Sequence, residues 1–87
     1  MPTVELYTTF FCPFCTRAKS LLKKKGVEYT EIGVDGDPML RQQMIERSGG
    51  GRTVPQIFID GKPIGGSEEL VVLDGSGELD RLLQGTG

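Results

Sequence analysis

Two cysteines stand three positions apart in this 87-residue chain, Cys12 and Cys15, with Pro13 and Phe14 between them. Thiols at that spacing can do redox chemistry: one thiolate attacks a disulfide, and its neighbour resolves the resulting mixed disulfide. Other sulfur chemistries lack their partners. The chain has no histidine, so it offers no Cys–His pair, no Ser–His–Asp triad and no imidazole ligand. Two cysteines are too few to close a four-ligand zinc site within one chain. Three duller readings stay open on spacing alone: a structural disulfide, two buried thiols with no role, or half of a metal site completed by a second chain. The first is disfavoured because a bridge over so short a loop constrains the unfolded chain little.

The position of the pair makes the two thiols unequal. A free cysteine is only about 3% thiolate at pH 7, so a reactive one needs help. Cys12 lies just before a helix that opens at Pro13, where unsatisfied backbone N–H groups and the positive dipole end face its sulfur. Arg17 and Lys19 add positive charge within about two turns. Cys15 sits one turn further on, partly covered, without that support. The sequence therefore predicts Cys12 as nucleophile and Cys15 as the resolving thiol.

The elements that must hold this turn are readable from periodicity and punctuation. Residues 3–8 alternate Val4 and Leu6 with polar neighbours, a strand pattern. Phe14, Ala18, Leu21 and Leu22 recur at helical spacing, Pro13 suits the first helical turn, Lys23, Lys24 and Lys25 suit the last, and Gly26 ends it. Residues 27–34 read as a second strand. Asp37-Pro38 is an N-cap followed by a first-turn proline, opening a helix with Leu40, Met44 and Ile45 inward and Ser48-Gly49-Gly50-Gly51 as a flexible exit. Residues 56–59 form a strand, and Asp60-Gly61 is a two-residue hairpin signal leading to Lys62-Pro63-Ile64. Gly65-Gly66 breaks that strand and Ser67 caps a helix through Leu70 and Leu73. Asp74-Gly75-Ser76-Gly77 interrupts it before a short helix with Leu79, Leu82 and Leu83, and residues 84–87 fray.

This order, βαβ-α-ββ-α, calls for an α/β fold with one mixed four-stranded sheet flanked by helices, in a single domain over residues 1–87. Ten basic and twelve acidic residues give a net charge of −2, against the basic excess of a nucleic-acid binder. No run approaches the ~18 apolar residues of a membrane span. The N-terminal residues have neither a basic nor an apolar leader segment, so the expectation is a cytoplasmic protein without a membrane partner.

Around the cysteines the chain resembles the dithiol glutaredoxins. The resemblance rests on V-E-L-Y-T before the turn, C-P-F-C itself, R-A-K-S-L-L after it, then R-S-G-G-G-R-T-V-P-Q-I-F-I-D-G and I-G-G-S-E-E-L, in order over nearly the whole chain. The nearest rivals, the thioredoxins, carry W-C-G-P-C, and this chain has no Trp. The resemblance implies the thioredoxin fold with the first strand central. It also implies reduction of protein disulfides and of glutathione mixed disulfides, with glutathione as reductant and no metal, in a monomer whose partners are glutathione and glutathionylated or disulfide-containing proteins. The rival implied by some relatives is a dimeric carrier holding an iron–sulfur cluster through Cys12 and glutathione. Pro13-Phe14 and an intact Cys15 speak against it.

The resemblance also implies a glutathione seat. The Val54 backbone of Thr53-Val54-Pro55 would pair with the glutathione cysteine, with Pro55 cis; local sequence alone reads Pro55 as an ordinary strand start. Gly66, Ser67 and Glu68 would offer backbone N–H groups to the γ-glutamyl carboxylate, Glu69 would take the ammonium, and Arg41, or less readily Gln42, the glycyl carboxylate. Phe14 would supply an apolar wall. Four departures stand out. Thr9 replaces a frequent lysine, which removes about 1 kcal/mol of affinity if that contact is partly exposed. Phe14 replaces a tyrosine and loses a hydroxyl. Glu69 is one methylene longer than the usual aspartate. Ser67 replaces a frequent third cysteine, which leaves Cys12 and Cys15 as the only thiols.

Overall fold

In the computed structural model, which describes residues 3–84, the elements follow in the expected order. They are β1 (Val4–Thr8), α1 (Pro13–Lys24), β2 (Thr30–Gly33), α2 (Pro38–Arg47), β3 (Gln56–Ile59), β4 (Lys62–Gly65), α3 (Ser67–Ser76) and α4 (Glu78–Leu83). The expected fraying of residues 85–87 lies outside the described residues; Gln84 closes α4 as its C-cap.

The four strands form one sheet in the order β2-β1-β3-β4. β1 runs parallel to β2, with Glu5 opposite Thr30, and antiparallel to β3, with Val4 opposite Ile59. β1 and β3 are thus the inner strands, and side chains alternating along them serve two cores. Val4, Leu6, Ile57 and Ile59 pack with Ala18 and Leu22 of α1, Leu70 of α3 and Leu79 of α4. Tyr7 and Phe58 point the other way, against Met44 of α2 and Val34, which follows β2. The β3–β4 hairpin turns at Asp60 (φ 52°) and Gly61 (φ 80°), the two positive values a type I′ turn requires.

Several boundaries differ from the sequence expectation for local reasons. β2 begins at Thr30 rather than at residue 27, because the Val27 N–H donates to Leu22 O at 3.2 Å and closes the end of α1. α3 runs through Asp74, Gly75 and Ser76 and stops only at Gly77, in a left-handed conformation. Asp74 does not turn back on its own backbone: its carboxylate pairs with Lys25 at 2.7 Å, and Lys25 also holds Asp80 at 2.9 Å. The glycines after α2 are not a loose exit. The Gly50 N–H bonds Ile45 O at 2.8 Å, and the Gly51 N–H bonds Ser48 Oγ at 2.8 Å. A Cβ on Gly51 would lie 2.7 Å from both Ser48 Oγ and the Gln56 side chain, so any larger residue there would have to displace those side chains.

The inward face of α1 is also turned by about one residue. Cys15, Ala18 and Leu22 are buried, while Phe14 is 56% exposed. Both Phe14 and Cys15 fall within an apolar stripe at least 100° wide, so periodicity could not choose between them.

Candidate active site

Cys12 is the N-cap of α1, in extended backbone (φ −129°, ψ 102°). Its sulfur accepts the Cys15 N–H at 3.2 Å, and its carbonyl accepts the Thr16 N–H at 3.1 Å. The sulfur therefore takes the place that a serine or aspartate oxygen usually fills at a helix start. A cap of this kind leaves Sγ at the edge of the helix, and Cys12 is partly exposed.

Cys15 is more enclosed than the sequence suggested: it is 1% exposed. Burial, and after it the hydrogen bond with Cys12, pushes its thiol up to about 12, while a backbone hydrogen bond with Thr9 opposes the rise. Both thiols are free in this structure. A disulfide arriving from solvent can reach only Cys12. Cys15 can act only on something already attached there, which is the geometry a resolving thiol needs.

The third component comes from a distant part of the chain. The Cys12 thiol lies 3.7 Å from Val54 O, which it meets as donor to acceptor. Val54 sits between α2 and β3 in the segment Thr53-Val54-Pro55, whose Val54–Pro55 bond is cis. Pro55 is buried, Val54 packs on the α2-side core, and the carbonyl of the exposed Thr53 accepts from Gln56 Nε2 at 2.9 Å.

Next to this segment is the start of α3. Gly66, not Ser67, is its N-cap; Ser67 is the first helical residue and is buried. A Cβ on Gly66 would lie 3.4 Å from Pro55 O, so the two segments are in contact. The Gly66 N–H donates to Glu69 Oε1 at 2.7 Å, so the glutamate caps its own helix from within. Its side chain folds over Gly65, where a Cβ would stand 2.7 Å from Oε1. Glu68 and Glu69 are exposed.

Cys12, Val54, Pro55 and Gly66 thus form one chain of contacts. Arg41 reaches it at one remove, its Nη1 donating to Arg52 O at 3.4 Å beside Thr53. Phe14 stands on the first turn of α1 with its ring exposed. Lys19 departs from its expected part as a free charge near Cys12: it pairs with Glu31 at 3.0 Å. The Thr8 hydroxyl, which donates to Glu31 Oε2 at 2.7 Å, and then Lys19 hold the Glu31 carboxylate below its ordinary range. Among the described residues, no group of three or more Cys, Asp or Glu side chains is placed to hold a metal ion.

Two features escaped the sequence reading. On the α2 face, Arg47 lies 4.3 Å over the Phe58 ring and binds Glu5 (2.9 Å) and the Tyr7 hydroxyl (2.8 Å). Nothing in the spacing of Glu5, Tyr7 and Arg47 announces this, because the contacts join β1 to the end of α2. The other is Phe10-Phe11, whose rings are almost wholly exposed beside the cysteine turn. Its signal was available: two aromatic residues outside any periodic element.

Residues 4–64 match the family model described as Glutaredoxin. Glutaredoxin 3 of Escherichia coli (strain K12) is 52% identical over 84 residues, covering 97% of this chain and 100% of its own length. The solution structure of glutaredoxin from Brucella melitensis superposes with a TM-score of 0.81 at 48% identity, over 93% of this chain and 87% of that one. The crystal structure of a buckwheat glutaredoxin–glutathione complex gives 0.86 at 28% identity, over 95% and 77%. The mixed sheet and its helices are those of the thioredoxin fold that these structures share.

Proposed function

As this chain belongs to the glutaredoxin family, and is a thiol–disulfide oxidoreductase, we propose that its reductant is glutathione and that Cys12 is its nucleophile. The observation that carries this reading is the unequal exposure of the two thiols, with Cys12 at the surface beside Val54 O and Cys15 enclosed beneath it.

The Cys12 thiolate attacks a disulfide R–S–S–R′. A bond forms between Cys12 Sγ and one sulfur, and the other leaves as a thiolate that takes up a proton. For a protein disulfide, Cys15 gives up its proton and attacks Cys12 Sγ, releasing the substrate dithiol and leaving a Cys12–Cys15 disulfide. One glutathione opens that bridge and becomes joined to Cys12. A second attacks the glutathionyl sulfur, giving glutathione disulfide and the free Cys12 thiolate. For a glutathionylated protein, Cys12 takes the glutathionyl group directly and Cys15 is not needed.

In this reading the glutathione lies along Thr53-Val54-Pro55, its cysteine backbone paired with Val54. The γ-glutamyl carboxylate takes the N–H groups of Ser67 and Glu68, an anion site of the kind that helix starts provide. The Gly66 N–H joins them when Glu69 releases it and turns to the ammonium. Arg41 binds the glycyl carboxylate, and Phe14 borders the sulfur. The buckwheat complex supports glutathione as the ligand class. The partners are glutathionylated or disulfide-bonded proteins, met by a monomer in the cytoplasm, where thiols are kept reduced.

The test is a pair of variants assayed with a small glutathione mixed disulfide, glutathione, glutathione reductase and NADPH. Cys12→Ser abolishes turnover, and Cys15→Ser retains it while losing reduction of protein disulfides. Turnover by Cys12→Ser would overturn the nucleophile assignment. Equal turnover with another monothiol in place of glutathione would overturn the seat.

A further inference from the structure

Three of the chain's four phenylalanines are outside its core. Phe58 is fully buried, but Phe10, Phe11 and Phe14 are 85%, 98% and 56% exposed. A single exposed apolar side chain is ordinary. Three exposed aromatic side chains within five residues concentrate apolar surface beside the cysteine turn, and concentrated exposed apolar surface on small proteins marks contact sites. The turn that carries them is anchored: the Phe10 N–H donates to both carboxylate oxygens of Asp35, at 3.2 Å each. The rings are thus presented on a held backbone, which lowers the ordering cost of contact.

The place of the patch says what meets it. Cys12 is the only thiol open to an incoming disulfide, and Phe11 precedes it directly while Phe14 follows within one turn. When a protein sulfur is joined to Cys12, the two Cα atoms stand only about 4.4–6.8 Å apart. The residues flanking the substrate cysteine must then lie on this surface. We propose that Phe10 and Phe11, with Phe14 beside them, form a docking surface for polypeptides whose reacting cysteine is flanked by apolar side chains. This makes the turn a selector among protein disulfides. The inference rests on Cys12 as the nucleophile, but not on glutathione as the reductant.

The experiment uses the prereduced protein alone, in single turnover without glutathione, so its outcome is separable from that of the glutathione seat. Two short disulfide-bonded peptides are compared, one with leucine and phenylalanine flanking its cysteines and one with serine, beside hydroxyethyl disulfide as a small reference. The unaltered protein reduces the apolar peptide about ten-fold faster than the serine peptide, the scale expected when one or two side chains leave water. Phe10→Ser/Phe11→Ser loses that preference and keeps its rate on hydroxyethyl disulfide within about two-fold. Equal rates on the two peptides, a preference that survives in the variant, or a loss that is the same on all three disulfides would each overturn the proposal. So would a dimer of the unaltered protein that the variant dissolves while the peptide preference persists, since the patch would then cover a second copy of this chain.

Discussion

Two helix starts meet at the candidate site, and they are capped in opposite ways. α1 is capped from outside by the Cys12 sulfur, which accepts the Cys15 N–H at 3.2 Å. α3 is capped from inside, by Glu69 reaching back to the Gly66 N–H at 2.7 Å. Both ends gather backbone N–H groups and the positive end of a helix dipole. At α1 the capping group is the sulfur of a partly exposed cysteine, which under the proposed function is the reacting atom. At α3 the capping group is an exposed carboxylate, which under the proposed function gives way to a carboxylate of glutathione. The difference teaches that a helix N-terminus acquires its role from what fills its cap.

The largest expected effect breaks the α1 side. Cys12→Ser keeps a capping oxygen, so its melting temperature stays close to that of the parent, while steady-state disulfide reduction falls by more than about a thousand-fold. A parallel loss of stability would mean that the sulfur is mainly a structural cap.

A second test concerns the buried partner. With its thiol raised to about 12, chiefly by burial, Cys15 is thiolate at only about one part in ten thousand at pH 8. In Cys12→Ser, where the Cys12 contribution is gone and burial remains, alkylation of Cys15 by iodoacetamide at pH 8 is still slower than that of a free cysteine. The same shift has a consequence for stability. A thiol whose folded value lies above its unfolded value of about 8.5 contributes fully below that pH, and the contribution is lost as pH rises towards 12. The parent therefore loses stability between about pH 8.5 and 12, and Cys15→Ala loses less over that window, as read by denaturant melts.

A smaller effect sharpens the α3 side. Glu69→Ala removes the inner cap and costs about 1 kcal/mol, a fall of about 4–8 °C in melting temperature for a domain of this size. Glu69→Gln keeps an accepting oxygen and stays near the parent. Identical melting curves for alanine and glutamine would show that the 2.7 Å bond contributes nothing in solution.

The smallest effect lies behind α1. Glu31 is held below the ordinary carboxylate range by the Thr8 hydroxyl and then by Lys19. A lowered carboxylate contributes stability above its unfolded value, about 4.3, and loses it as pH falls through the folded value. Glu31→Gln is therefore slightly less stable than the parent at pH 7, and the gap closes in acid below about pH 4. A gap independent of pH would remove the charge from the account.

Much of this was legible along the chain. Alternation in residues 3–8, the Pro13 and Pro38 helix starts, and Asp60-Gly61 all specify local backbone states, and each appears in its expected order. The elements misjudged were those whose ends depend on a distant partner. Val27 closes α1 instead of extending β2, and Asp74 is drawn to Lys25 across the gap between α1 and α3. The site shows the same division. Cys12-Pro13-Phe14-Cys15 announces a redox turn at a helix start, whereas the Gly66 cap, the pairing of Lys19 with Glu31 and the near-total burial of Cys15 were not readable.

The sequence by itself determined the kind of chemistry and the string of elements, because thiol spacing, capping and alternation act over a few residues. Only the tertiary structure shows how unequally the two sulfurs are exposed. Cys15 is enclosed because α1 packs its Cys15–Ala18–Leu22 face inward. Cys12 meets the Val54 carbonyl 42 positions away, because β3 lies antiparallel to β1 and brings the segment before it back to the start of α1. Contacts across that separation follow from which surfaces bury each other, and no local pattern encodes them.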